Sequence, residues 1–268
     1  MRKGLVVAGL FLMGSAHAAE VALPADMAVK VSVADVRAKP KAHSGKYKFD
    51  ELQETQVELG ERVRVLEKKG KWLRVECVDQ EEFTHNNKWQ GYPGWIEAAA
   101  LTSDLTLLKT PERLALPLDE IRAKILDAAA SHIGNRYLWG GRSLHNPAVK
   151  KTATGVDCSG LINWSFRQVG WIVPRDAHEQ FMRARSVRPF RMQPADLIFL
   201  AKTDNPHKIV HVMFYAGDAE IIEAPQSGER VRRMTFQERF GKPLDQFRGG
   251  ETVGDRILYF GTLFEEAQ

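Results

Sequence analysis

The chain has 268 residues, with 38 Lys and Arg against 34 Asp and Glu, a formal net charge of +4, 44% hydrophobic residues and two cysteines. That length holds one large domain or two small ones. The positive charge is not gathered into a basic face with a docking motif, which argues against a nucleic-acid partner, and two cysteines are too few for a disulfide-built scaffold.

Arg2 and Lys3 open the chain, followed by an apolar stretch from Leu5 to Met13 broken only by Gly9, and then Ala16-His17-Ala18. A charged start, a short apolar centre and a small-residue end have the form of a secretory signal peptide over residues 1–18. The apolar stretch falls short of the roughly 20 residues that cross a bilayer as a helix. No second such run follows, and no cysteine stands after the cleavage site to carry a lipid. The expectation is export to a bacterial envelope compartment, most simply the periplasm, with no membrane anchor. Loss of Arg2 and Lys3 takes the formal charge from +4 to +2.

Residues 19–112 read as a small all-β domain. Val31-Ser32-Val33, Arg62 to Leu66, Trp72 to Val78 and Gly94-Trp95-Ile96 alternate in character, with turn signals at Gly60-Glu61 and Lys69-Gly70-Lys71. Leu73, Val75 and Cys77 share one face of such a strand, so Cys77 reads as a small core residue and not as half of a disulfide. The polar stretches 39–51 and 80–88 read as loops. The runs at 34–37, 59–61, 72–75 and 91–96 resemble a bacterial SH3-like module, which implies a small barrel.

Thr110-Pro111 closes this part, and residues 113–268 read as an α+β domain. A helix begins near Leu118 with Ile121, Ile125, Ala128 and Ala129 on one side, and a second runs from Asp157 to Val169. Strands follow at Leu197 to Leu200, His211 to Tyr215 and Ile221 to Glu223, an order that suits one antiparallel sheet.

Asp157 is placed to cap the helix that Cys158 begins, and Gly170 to end it. A sulfur at that position faces unpaired N–H groups and the positive end of the helix dipole, which stabilise negative charge. Gly160 leaves room for a substrate backbone to approach. A cysteine at a helix start is as readily an inert core residue, and what lies downstream decides between the two. A hairpin centred on Gly217 sets His211 directly opposite Glu223, about 5 Å apart at Cβ, whereas a two-residue turn shifts the pairing by one and sets His211 against Ala224. In the first register the Glu223 carboxylate accepts the imidazole Nδ1 proton, and His211 serves Cys158 as its base.

The domain resembles the NlpC-like cell-wall cysteine peptidases, which are papain-like. Five blocks carry the resemblance: Tyr137 to Ser143, Asp157 to Leu161, Pro174-Arg175-Asp176 with Gln180, Pro194 to Phe199, and His211-Val212. With the SH3-like module in front, the chain is most similar to γ-D-glutamyl-L-diamino acid endopeptidases acting on peptidoglycan stem peptides. The resemblance implies Cys158 as nucleophile, His211 as base, Glu223 as the third residue and Tyr137 beside the oxyanion. It also implies Asp157 and Ser159 as ligands of a free L-alanyl amine, with Tyr92 and Glu54 contributing from the SH3-like module and Arg142 in the substrate-binding set. Glu223 departs from the histidine, asparagine or glutamine usual at the third position, and the connection from Ser143 to Asp157 is longer than usual. Two other readings stand beside hydrolysis: a non-catalytic wall-binding protein, and a thiol-dependent peptidyl transferase on the same fold. His132, His145, His178 and His207 have no partner at ligand spacing, so no metal and no cofactor are expected.

Overall fold

The computed structural model describes residues 23–264 apart from positions 44, 46 and 48, and the signal-peptide reading over 1–18 lies outside the described residues. The first unit is one antiparallel sheet of β1 (Ala25–Val29), β2 (Val33–Arg37), β3 (Gln53–Glu58), β4 (Arg62–Lys69), β5 (Trp72–Glu82), β6 (Gln90–Glu97) and β7 (Leu101–Thr102). Their order is β3-β2-β6-β5-β4-β1-β7. The period-2 alternation works as expected in β4 and β5. Val63, Val65, Leu73, Val75 and Cys77 point inward, while Arg62, Arg64 and Arg74 are exposed. Cys77 is a free, buried thiol.

Several strands differ from expectation. β2 starts at Val33 and not Val31, and β5 runs on to Glu82, into the stretch read as a loop. β3 was not expected at all, because Gln53-Glu54-Thr55-Gln56-Val57-Glu58 shows no apolar alternation. Gln53, Thr55 and Gln56 are nevertheless buried, satisfied by hydrogen bonds where an ordinary strand would use apolar packing. Thr55 Oγ1 donates to Gln80 Oε1 at 2.6 Å, and Gln56 Nε2 donates to the Ala153 carbonyl of the second unit at 2.7 Å.

The second unit sets α1 (Leu118–Ala130), α2 (Cys158–Arg167) and α3 (Ala177–Arg183) against a second antiparallel sheet. Its strands are β8 (Arg185–Ser186), β9 (Leu197–Lys202), β10 (Asn205–Gly217), β11 (Glu220–Glu223), β12 (Arg232–Thr235), β13 (Thr252–Val253) and β14 (Arg256–Thr262), and a short α4 (Phe236–Phe240) follows β12. The main order is β12-β11-β10-β9-β14-β13, with β8 on β14. Leu161, Ile162 and Phe166 of α2 are fully buried in one core with Val212 and Phe214 of β10. Phe166 stacks on Phe214 with centroids 6.1 Å apart. Burial of each such side chain contributes about 2 kcal/mol, so the start of α2 is held firmly over β10. Gly170 (φ +78°) ends the helix region as expected, where a Cβ would lie 2.0 Å from the Glu112 carbonyl.

The β10–β11 hairpin turns on Asp218 and Ala219, both at positive φ, a two-residue turn that matches the sheet twist. A bulge follows, so that Gly217 pairs with Glu220 but Tyr215 with Ile221 and Phe214 with Ile222. Neither register expected from the sequence occurs. Continuing the ladder sets Met213 opposite Glu223, and His211 reaches Glu223 along the diagonal.

Arginines tie the two units together. Arg142 is fully buried: its Nη1 donates to Glu61 Oε1 and Oε2 at 2.8 and 3.1 Å, its Nε donates to Asn163 Oδ1, and Arg167 Nε reaches the same Glu61 at 2.8 Å. The substrate-binding role expected for Arg142 is therefore corrected. It faces the joint between the units and has no access to a ligand. Burial raises the Glu61 carboxyl, but the two arginines outweigh it and hold it below its ordinary 4.5. That contribution is present above pH 4.5 and is lost as pH falls. Arg142→Ala leaves Glu61 buried with one partner, and the expected loss is about 3–5 kcal/mol of unfolding free energy, read from the urea midpoint at pH 7.

Candidate active site

Asp157 stands in extended backbone just before α2, and its Oδ1 accepts from the Gly160 amide at 2.6 Å, the N-cap read from the sequence. The reason for Gly160 is different from the one expected. A Cβ there would lie 2.0 Å from the Gly141 carbonyl, so the glycine admits the neighbouring loop, not a substrate. Arg175, fully buried, braces this corner: it donates to Asp157 Oδ1 and Oδ2 at 3.1 and 2.8 Å, to Ser159 Oγ at 3.0 Å and, across the joint, to Thr55 Oγ1 at 2.8 Å. Asp157 and Ser159, expected as amine ligands, thus already have a cationic partner.

His211 of β10 lines the same cleft as Cys158, close enough for the sulfur to favour its charged imidazole. Its Nε2 lies 2.9 Å from Glu223 Oε2, which leaves Nδ1 for the sulfur, the reverse of the tautomer expected. Glu223 is itself fully buried, and its Oε1 accepts from Arg232 Nε and Nη2 at 3.0 and 2.6 Å and from Arg239 Nε at 3.1 Å. Burial opposes a charged imidazole, but the hydrogen bonds and charges of Cys158 and Glu223 outweigh it and hold His211 up at about 9. Burial likewise opposes the Glu223 charge, yet His211, Arg239 and Arg232 bring it down to about 2. A carboxylate with two arginines on one oxygen and an imidazolium on the other is a stable third member. Tyr137 lies beside Cys158, and lost solvation together with the charges of Cys158 and Asp157 raises its phenol far above the ordinary range. It stays a proton donor, as an oxyanion ligand must.

Tyr92 (3% exposed) comes from the first unit, and its hydroxyl lies 3.0 Å from both Glu54 Oε2 and Asp176 Oδ2. The structure therefore brings Glu54 and Tyr92 to the corner occupied by Asp157 and adds Asp176, a residue of the family blocks to which the sequence alone assigns no role. Asp157, Asp176 and Glu54 outnumber the one cation, Arg175, and the corner is net negative. Burial and the Asp157 charge, against the pull of Arg175, hold the Asp176 carboxyl at about 6. Arg175 stands in the same family block as Asp176, also without a role, and Arg232 and Arg239 have no signal in the sequence, since single arginines without periodicity or spacing carry none until the fold gives them partners. On the other side of Cys158 lies a cleft of about 420 Å³, bounded by Tyr137, His211 and an aromatic pair, Phe49 and Trp139, with ring centroids 5.7 Å apart. Among the described residues no group of His, Cys, Asp or Glu is arranged to hold a metal ion.

A helix-borne cysteine, a strand-borne histidine and a buried carboxylate on a mixed fold define a papain-like cysteine peptidase site. The NlpC/P60 family model matches residues 134–247, the stretch that carries Cys158, His211 and Glu223. The chain is 25% identical over 242 residues to a gamma-D-glutamyl-L-lysine dipeptidyl-peptidase of Bacillus subtilis, covering 70% of this chain and 78% of the relative. It is 34% identical over 111 residues to the peptidoglycan endopeptidase RipB of Mycobacterium tuberculosis, covering 40% of this chain and 44% of that protein. An NlpC/P60 family protein of Bacillus cereus, 19% identical, superposes with a TM-score of 0.63 over 79% of this chain and 94% of its own and supports the fold.

Proposed function

We propose that the protein is an exported, periplasmic cysteine endopeptidase that hydrolyses the γ-D-Glu to L-diamino acid bond of peptidoglycan stem peptides bearing a free N-terminal L-alanine. In this reading residues 19–112 are an SH3-like domain and 113–268 the catalytic domain. The observation that carries it is the net-negative corner at the nucleophile, formed by Asp176 of one unit and by Tyr92 and Glu54 of the other. An ammonium loses its hydration in such a corner only where carboxylates replace it. The name of the Bacillus subtilis relative specifies the same type of bond, with lysine as the diamino acid.

With the amine anchored there, the γ-carbonyl lies over Cys158. The thiolate adds to the carbonyl carbon, and the oxygen takes the charge, held by the Cys158 N–H and the Tyr137 hydroxyl. The imidazolium of His211 gives its proton to the leaving nitrogen as the C–N bond breaks, leaving a thioester. Water, deprotonated by the now neutral His211, attacks the thioester and releases L-Ala-D-Glu and free enzyme.

The test is a pair of tripeptides, L-Ala-γ-D-Glu-diaminopimelate with a free and with an acetylated amine, followed by mass spectrometry. The expected result is release of L-Ala-D-Glu from the first and a kcat/KM at least about 100-fold lower on the second, the scale of a lost charge-assisted contact in a desolvated corner. Equal rates on both would overturn the amine pocket. A product extended by a second peptide would show transfer in place of hydrolysis.

A further inference from the structure

The cleft on the far side of His211 has a charge pattern that the proposed reaction does not use. Lys202 at the end of β9 pairs across the ladder with Arg256 of β14, two residues along from the Leu200–His211 pair. Side chains two apart share a face of a sheet, so both cations stand on the face that carries His211. Arg239 of α4 joins them in lining this cleft, which has no carboxylate in its wall. Among the described residues no carboxylate pairs with Lys202. Arg256 has only its exposed neighbour Asp255, and Arg239 commits its Nε to Glu223. The cleft is thus polarised, with acids at the Asp176 corner and three cations beyond the histidine.

The histidine must protonate the leaving nitrogen, so the departing half of the substrate lies on its side of the sulfur. Resting on the proposed function, the geometry points to Lys202, Arg239 and Arg256 as the subsite that selects diaminopimelate over lysine as the departing diamino acid. The two differ at the far end of the side chain. Lysine ends in an ammonium alone, which three cations repel; diaminopimelate carries a carboxylate beside its distal ammonium, which they hold.

The experiment measures kcat/KM on L-Ala-γ-D-Glu-diaminopimelate, on the same peptide with the distal carboxylate amidated, and on L-Ala-γ-D-Glu-lysine. The enzymes are the mature protein, Lys202→Gln and the double variant Lys202→Gln/Arg256→Gln. The ratio of two substrates within one enzyme does not depend on how much of a variant is folded. The expected ratio of diaminopimelate to lysine is about tenfold or more, the scale of one to two partly exposed charge contacts. It falls at least threefold in the double variant, and the amidated peptide groups with lysine. A ratio near one in the unaltered enzyme, or one that the double variant leaves unchanged, overturns the subsite while cleavage itself upholds the proposed function. Absence of cleavage on all three peptides overturns both.

Discussion

Cys158→Ala abolishes peptide hydrolysis, with kcat reduced by about 10⁴-fold or more, the range seen when a covalent nucleophile is removed and only binding and oxyanion contacts remain. Cys77→Ala retains activity. The contrast isolates position from residue type. Both thiols are free, but Cys77 is 1% exposed in the core of the first sheet, where burial pushes its thiol far above the ordinary range. Cys158 sits at a partly exposed helix start in the cleft that His211 also lines. Alkylation by iodoacetamide provides the check: one equivalent is incorporated at neutral pH, on Cys158, and inactivation follows it. Full activity in Cys158→Ala, or modification of Cys77 first, would remove the mechanism.

The second large effect is expected at Glu223. Glu223→Gln keeps the shape but takes away the charge that steadies the imidazolium, and kcat/KM falls by about 10²-fold or more. His211 has a raised pKa in the folded protein, so its contribution to stability is complete below 6.5 and is lost as pH rises through about 9. Glu223 has a depressed one, so its contribution is complete above 4.5 and is lost as pH falls toward about 2. Both are complete together between pH 4.5 and 6.5. The alkaline limb of kcat/KM in the unaltered enzyme is therefore expected near pH 9. In Glu223→Gln it moves down toward 6.5, because the negative partner that favoured protonation is gone. A limb that stays near 9 in the variant would show that Glu223 positions the ring without setting its charge.

Much of this site was legible in the residues. Cys158 at a capped helix start, His211 on a strand and Glu223 twelve positions on needed only helix and strand periods, which are local. Cys77 was legible as core for the same reason. What escaped was whatever depended on pairing between distant segments. The bulge and two-residue turn at Gly217 to Glu220 moved the hairpin register, so Glu223 reaches His211 diagonally and through Nε2. β3 escaped because its buried face is polar and is satisfied by partners distant along the chain, Asp35 and Gln80 in its own unit and Ala153 in the other.

The sequence by itself determined which residues are chemically able to act, since capping, alternation and the five family blocks are properties of short stretches. The tertiary structure alone decided their partners. Arg142 turned from a substrate ligand into a tie on Glu61, and Arg175 took up Asp157 and Ser159. Glu54 and Tyr92 met Asp176 from the other unit, and Lys202 and Arg256 came together beyond the histidine. A charge acquires its function from what neutralises it or leaves it unneutralised, and those neighbours are distant along the chain.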